Sequence, residues 1–322
     1  MRYAAFALAV AVSVFSCAAA RATPIAASTI LQDFNTVIFG NASTQADIEG
    51  AAVVGGNFSG ATMYNNPNDG GAVTLPSGFN ALTVYGSTYG NSMNINNGGS
   101  AYVAGNHGQQ TNFNGGGSFS YTAPPSSISD FQSSLTSLST QLSQLSANSS
   151  LVMPADGSTN GVQFNATPGA NGVSVFNINA SQLSSFASFV MNLNGSSSII
   201  VNVSGSSVTL NGNDTSGVTG ANNIIWNFYQ ATSLNIGTQL GGTVLALQAA
   251  VTNNNQIDGG LFAQSWTGNG ELHSYTYTGT LPGSGGTTVV ATPEPASLAL
   301  LGAGLSALGL IRRRRLAKQA SV

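Results

Sequence analysis

The sequence predicts a mainly β protein, a parallel β-solenoid (β-helix) with one flanking amphipathic α-helix, and three observations carry that reading. The chain of 322 residues is 42% apolar and only 5% charged, whereas disordered segments pair low hydrophobicity with high charge. Its apolar residues arrive in short β-branched or aromatic clusters separated by Gly and Asn, the rhythm of strands and turns. Clusters at 82–85 and 101–104 start 19 residues apart, close to one turn of a solenoid, where each coil buries its face only against its neighbours. An antiparallel sandwich also alternates short strands with turn residues and is the alternative architecture.

At the N-terminus, Arg2 precedes an apolar stretch over 3–15, and Ala20-Arg21-Ala22 places the small residues Ala20 and Ala22 where a signal peptidase reads. Residues 1–22 are therefore expected to be a signal helix, with Thr23 opening the mature chain. Val14-Phe15-Ser16-Cys17 supports a competing reading as a degraded lipobox, which would lipidate Cys17 and give a different mature N-terminus. Under the first reading the mature chain has no cysteine, which excludes disulfides, thiol catalysis and Cys-based zinc sites.

Strands are expected at 51–54, 82–85 and 101–104, each followed by a glycine (Gly55, Gly86, Gly105). The rhythm returns at 199–203, 208–210, 224–228, 234–236, 244–247 and 260–263, with Ile224, Val244 and Leu261 repeating a similar interval. Parallel stacking would let Asn side chains form ladders between coils. One segment breaks the pattern. Ile128, Phe131, Leu135, Leu138, Leu142 and Leu145 alternate spacings of three and four, which predicts an amphipathic helix over about 127–147. Ser127 or Ser129 can cap it, and with so little charge it should lie on the solenoid flank, stripe inward. A coiled-coil dimer is the alternative. A shorter helical piece is expected over 181–189. Pro282-Gly283-Ser284-Gly285-Gly286 then closes a domain of 23–281 and opens a flexible linker, 282–292.

The chain continues through Pro293-Glu294-Pro295, an apolar run over 296–311, and Arg312-Arg313-Arg314-Arg315. That run is barely long enough for a transmembrane helix, which needs ~20 residues, and the arginines behind it would stay cytoplasmic. Bare hydropathy also fits a plain tail anchor. Together the tripeptide, the short Gly/Ala/Leu-rich helix and the arginine cluster, spanning 293–316, resemble the PEP-CTERM sorting signal of Gram-negative bacteria. The resemblance implies transient residence in the inner membrane, recognition and tail removal by an exosortase-like processing enzyme, and delivery to the cell surface, outer membrane or extracellular matrix.

Between Thr23 and Ile311 there is no lysine and no arginine, a fact hidden by the formal net charge of −3. The exported domain, 23–281, carries only Asp33, Asp47, Glu49, Asp69, Asp130, Asp156, Asp214, Asp258 and Glu271. The missing positive charge argues against nucleic acid and anionic membrane surfaces as partners, because phosphate binding runs on Lys/Arg counterion release. Solvation must come from Asn, Ser, Thr, Gln and the backbone.

Motifs along this core carry a second resemblance. Phe34 to Gly40, Asp47-Ile48-Glu49-Gly50 and Val54-Gly55-Gly56-Asn57 are similar to the opening of the choice-of-anchor A domain. Ile224-Ile225-Trp226-Asn227-Phe228, Gly242 to Ala246, Val251-Thr252-Asn253, Ile257-Asp258-Gly259-Gly260 and the closing His273 to Pro282 are similar to its second half. Leu247 departs from the pattern, since relatives usually carry Pro there. The resemblance implies an adhesive module joined to different anchors in different bacteria. It marks Asp47, Glu49, Gly50, Gly55, Gly56, Trp226, Asn227 and Gly242 as motif positions. More loosely, the stretch from Gly242 to Gln264 resembles ice-binding β-solenoids that carry a flanking helix.

Catalytic chemistry has little to work with. Polysaccharide lyases need a cation or arginine to neutralise the uronate, and hydrolases need two carboxyls about 5–10 Å apart. Asp47 and Glu49 are the best pair, sharing a face if on a strand; a turn hydrogen bond for Asp47 and a solvated Glu49 is the plainer reading. His107 and His273 are the only histidines, too few for a metal site without carboxylate help, and read as exposed hydrogen-bonding residues. Asp69 with Asn65, Asn66 and Asn68 has oxygen ligands for calcium, but a solvated loop is the plainer reading. Tyr64, Tyr85, Tyr89 and Tyr102 suit coil stacking, and any that face solvent would form a sugar platform. The sequence thus predicts a non-enzymatic surface or matrix protein without cofactor, binding exopolysaccharide through many weak contacts. Ice binding and a polysaccharide-active β-helix enzyme are the alternatives.

Overall fold

Aliphatic clusters such as Ala52–Val54, Leu82–Val84 and Ala101–Val103 become strands because branched side chains fit a pleated, half-buried surface. In the computed structural model, which describes residues 25–64 and 75–282, they stack in parallel and wind a three-faced solenoid. The expected signal segment 1–22 with Cys17, Ala20 and Ala22, the side chain of Tyr64, Asn65, Asn66, Asn68, Asp69, and the tail from 283 through Pro293, Glu294, Pro295 and Arg312–Arg315 lie outside the described residues. Among the described strand pairs one is antiparallel, Ser150–Val152 on Asn160–Asn165; the others run parallel. This replaces the sandwich alternative.

The coils do not stack in sequence order. Along the first face the strands lie as Phe119–Ser120, Ala101–Val103, Leu82–Val84, Ala52–Val54, Thr36–Ile38, Leu261–Gly268, Thr243–Asn253, Ile224–Asn227, Ser198–Ser204 and Val173–Asn179. The chain starts mid-stack and climbs to one end. It then crosses to the opposite end along helix α2 (Ile128–Ser143), which follows the short α1 (Ala27–Asp33), and climbs back to the middle. Thr36–Ile38 thereby pairs with Leu261–Ala263 on one side and Ala52–Val54 on the other. Each half supplies five strands to this face.

Register corrects two details of the sequence reading. Val244 lies beside Trp226 rather than Ile224, and Gly86 follows Gly56, not Gly55, in a corner ladder. There Gly56 N donates to Gly40 O, Gly86 N to Gly56 O and Gly105 N to Gly86 O at 2.8–3.1 Å. A Cβ on Gly86 would sit 2.4 Å from Gly56 O, so this corner admits no side chain. The expected helix over 181–189 shortens to α3 (Ala180–Ser185), because Ser188–Asn192 pairs with Asn160–Asn165 instead and buries Phe189.

The core has two layers. One fills the solenoid interior, with Trp226 edge-on to Phe164 and Phe189 at ring separations of 5.7 Å. The other lies between the first face and α2, where Phe131, Leu135, Leu138 and Leu142 are buried as the periodicity predicts. Ser127 caps α2, its N–H donating to Asp130 Oδ2 at 2.8 Å. At the N-terminal half the contact is aromatic: Phe34, Phe79 and Phe131 meet edge to face at 5.1–5.6 Å.

At the C-terminal half Val175, Ile200, Ile225 and Leu245 continue the apolar layer, and a ladder of three asparagines, 25 residues apart, is added to it. Asn227 Nδ2 donates to Asn202 Oδ1 at 2.9 Å, and Asn202 Nδ2 to Asn177 Oδ1 at 3.0 Å. Each rung also donates to one carbonyl beside the helix axis: Asn227 to Ser139 O, Asn202 to Leu142 O and Asn177 to Leu145 O, at 2.7–3.0 Å. Ser139 Oγ closes the ladder onto Asn227 Oδ1 at 2.6 Å. The match has a simple origin, since three helical residues rise ~4.5 Å and neighbouring strands lie ~4.8 Å apart.

Candidate functional site

The motif residues from the two ends of the sequence meet at the seam where the half-solenoids join. Ile48 pairs with Leu272. Buried Asn35 stitches the joint, donating to Gly259 O and His273 O at 3.0 Å and accepting from Gly50 N at 3.2 Å. A Cβ on Gly50 would lie 2.5 Å from that of Asn35. Glu49 is not simply solvated: its Oε2 accepts the backbone N–H of Ser274 at 2.9 Å. Asp47, half-buried, pairs in register with Thr62. Gly55 abuts Phe39 O and Ile128 of α2; Gly56 belongs to the corner ladder. Gly242 holds φ +118, Trp226 Nε1 donates to Gly241 O at 2.9 Å, and Asn227 is the top rung of the asparagine ladder. The motif is thus largely a set of joints.

His273 sits at this seam and corrects the expectation of an exposed residue. Nδ1 lies 2.6 Å from Asp258 Oδ1 and Nε2 3.0 Å from Glu271 Oε2. The hydrogen bond to Asp258, opposed by burial and aided by Glu271 and the Glu49 charge, pushes its pKa up to about 9. At neutral pH it is an imidazolium among carboxylates. Gln239 Nε2 donates to the other oxygen of buried Asp258 at 2.5 Å, and Asp214, one coil further, accepts from Gly241 N and Ser216 N while burial raises its pKa. Among the described residues no group of three or more His, Cys, Asp or Glu is placed to hold a metal ion. Asn35, Asp258 and Glu271 were not singled out from the sequence, though Asn35 and Asp258 stand inside quoted motifs.

The second face is different. Its register aligns Thr209, Asn235, Thr252, Thr267, Ser43 and Ser59 in one rank across six strands. A second rank runs Ser207, Ser233, Ala250, Ser265. It is extended by Asn41, Asn57, Ser87 and Asn106, where each side-chain oxygen of the first three accepts the next coil's N–H at 2.8–2.9 Å. Every side chain in both ranks is short, so the face is flat, with hydroxyls and amides at a strand spacing of ~4.8 Å and ~6.7 Å along each strand. Sequence reasoning missed these ranks because loops of unequal length separate their members.

Of the expected tyrosines, Tyr89 is 47% exposed beside this face. Tyr85 instead donates its hydroxyl to Ser126 O below the entry to α2, and Tyr102 is half-buried. Tyr121, not anticipated, is 87% exposed. His107 is exposed, its ring 4.1 Å from that of Phe119.

The second face is thus an array of short hydroxyl and amide side chains with no charged residue in either rank. The chain belongs to the family of ice-binding-like adhesive domains, whose model matches residues 27–274, and residues 291–315 match the PEP-CTERM protein-sorting motif. These matches agree with the two resemblances read from the sequence. Similar solved structures include an ice binding protein from an Antarctic biological consortium, 14% identical, covering 83% of this chain and 94% of that one at a TM-score of 0.36. Another is an ice binding protein from an Antarctic bacterium of the Flavobacteriaceae, 10% identical, covering 77% and 81% at a TM-score of 0.29. No curated protein matches the chain. The protein is thus an exported, adhesive-type surface protein, delivered to the cell surface or extracellular space, and its sorting motif implies processing by an exosortase. The families it matches are non-enzymatic ones.

Proposed function

We propose that this protein holds exopolysaccharide at the cell surface through its flat hydroxyl and amide face, without catalysing a reaction. The observation that carries the reading is the rank of Thr209, Asn235, Thr252, Thr267, Ser43 and Ser59. A polymer laid on it meets the same donors and acceptors at every coil, and weak contacts add through multivalency. With no lysine or arginine in this core, retention should persist in moderate salt. A second reading, ice binding, is favoured by the regular Thr252/Thr267 pair on a flat sheet and by the family name.

In the proposed organisation, 1–22 is removed, 23–281 is the exported domain, 282–292 is a tether, and Pro293-Glu294-Pro295 with the arginines directs sorting. Purified protein is expected to retain matrix polysaccharide at ordinary temperature and release no reducing ends, and Thr252→Val with Thr267→Val to lose that retention. Thermal hysteresis without polysaccharide retention would establish the ice reading instead. Replacing Pro293-Glu294-Pro295 by alanines should leave the uncut chain in the inner membrane; a cut, exported mutant would refute the sorting assignment.

A further inference from the structure

Away from the flat face, a cleft runs between α2 and the corner of the solenoid. Two adjoining hollows, of about 80 and 260 Å³, share Ser143 and Tyr229. One wall is the α2 side that carries Thr136, Thr140 and Ser143, spaced so that they line one helical face. The opposite wall holds Tyr229, Gln248 and Gln182. Thr140 Oγ1 and Ser143 Oγ donate to Thr136 O and Thr140 O, both at 2.8 Å, which leaves the hydroxyl lone pairs as acceptors toward the cleft. Gln248 Nε2 donates only weakly, to Tyr229 O at 3.4 Å. No acidic or basic side chain lines either hollow.

We propose that this cleft binds a single residue of a neutral glycan, with Tyr229 as its platform. An aromatic ring offers a face for the C–H side of a pyranose while keeping a polar tip, and the surrounding hydroxyls and amides pair with sugar hydroxyls. The larger hollow is below the ~300 Å³ where pockets for drug-sized ligands begin, so it admits one ring, not a chain. Uronate, phosphate and ammonium groups would find no counter-charge and lose their hydration without compensation. The ligand class rests on the saccharide reading above, but the site is concave and shares no lining residue with the two ranks of the flat face. It would grip a chain end or branch where the face holds a run.

Titration calorimetry and saturation-transfer NMR on the purified protein test this with four neutral disaccharides (cellobiose, maltose, α-mannobiose, chitobiose) and a glucuronate-containing disaccharide. At least one neutral sugar is expected to bind and the uronate not to. Tyr229→Ala should weaken binding about tenfold, a typical cost of one aromatic contact, while Tyr229→Phe keeps it. Gln248→Ala, at an exposed position, should weaken it less and guards against misfolding of the tyrosine variant. Thr252→Val with Thr267→Val should leave disaccharide binding unchanged while releasing polymer. The cleft is refuted if no neutral disaccharide binds, or if folded Tyr229→Ala binds as well as wild type; continued polymer retention in either case leaves the adhesive reading standing. Loss of polymer retention in wild type with disaccharide binding intact would do the reverse.

Discussion

The two half-solenoids build the same first face and share an apolar layer under the same helix, but only the C-terminal half adds asparagine bonds to it. In the N-terminal half the contact with α2 is apolar, the edge-to-face trio of Phe34, Phe79 and Phe131. Its asparagine pairs, Asn94 with Asn112 and Asn96 with Asn114, lie on the third face, toward solvent. In the C-terminal half the ladder is turned under the helix, and Asn202 and Asn227 are buried. The difference shows what an asparagine ladder contributes in each place. An exposed ladder exchanges bonds with water for bonds with a neighbour, a small net gain. A buried one must be complete, because an unmade bond there costs the full desolvation of the group.

The largest effect should come from breaking the element both halves share. Leu135 is fully buried near the middle of α2, and Leu135→Asp places an unpaired charge there, expected to cost about 3–5 kcal/mol. Thermal unfolding should fall in a single step, since the helix spans both halves; an unchanged melting temperature would mean that neither half needs it. Next in size is Asn202→Ala, which removes the acceptor of one Asn227 Nδ2 hydrogen and the donor to Asn177 Oδ1 and Leu142 O, and should cost about 1–3 kcal/mol. Its counterpart on the open face, Asn94→Ala, should stay within about 0.5 kcal/mol. Equal losses in denaturant melts would erase the proposed contrast between the halves.

A smaller effect follows from the seam. His273 has a folded pKa of about 9 against an ordinary 6.5. Its stabilising contribution is therefore complete below about 6.5 and lost as pH rises through about 9. The melting temperature should decline across that window, and His273→Asn should flatten the decline. A wild-type profile that rises there would contradict the imidazolium assignment. Smallest of all, Thr252→Val with Thr267→Val should shift stability by no more than about 0.5 kcal/mol, because both side chains are exposed.

Some of this was legible from residues alone. The leucine stripe from Ile128 to Leu145 announced a flank-packed helix, and its buried members are the ones the spacing selects. Glycine after each strand cluster marked the corners, although which glycine faced which required the register. The seam was less visible: Phe34-Asn35 and Ile257-Asp258-Gly259-Gly260 were recognised as motifs, but nothing local shows that they touch across 224 residues. His273 looked exposed because it stands beside Ser274 and Tyr275; of its electrostatic partners only Glu271 is near in sequence, while Asp258 and the half-buried Glu49 come from other coils.

By itself the sequence determined the local terms: strand and turn composition, helical periodicity, the absence of positive charge from Thr23 to Ile311, and the sorting motif, all set by residues near one another along the chain. Tertiary structure alone decided which coil lies beside which. The start of the solenoid slots against its end, turning distant motifs into joints and aligning Thr209, Asn235, Thr252, Thr267, Ser43 and Ser59 into a single rank. The physical reason is that parallel pairing needs only a complementary edge. Loops of different length can deliver that edge, so the spacing that orders the surface is the distance between strands and not a period in the sequence.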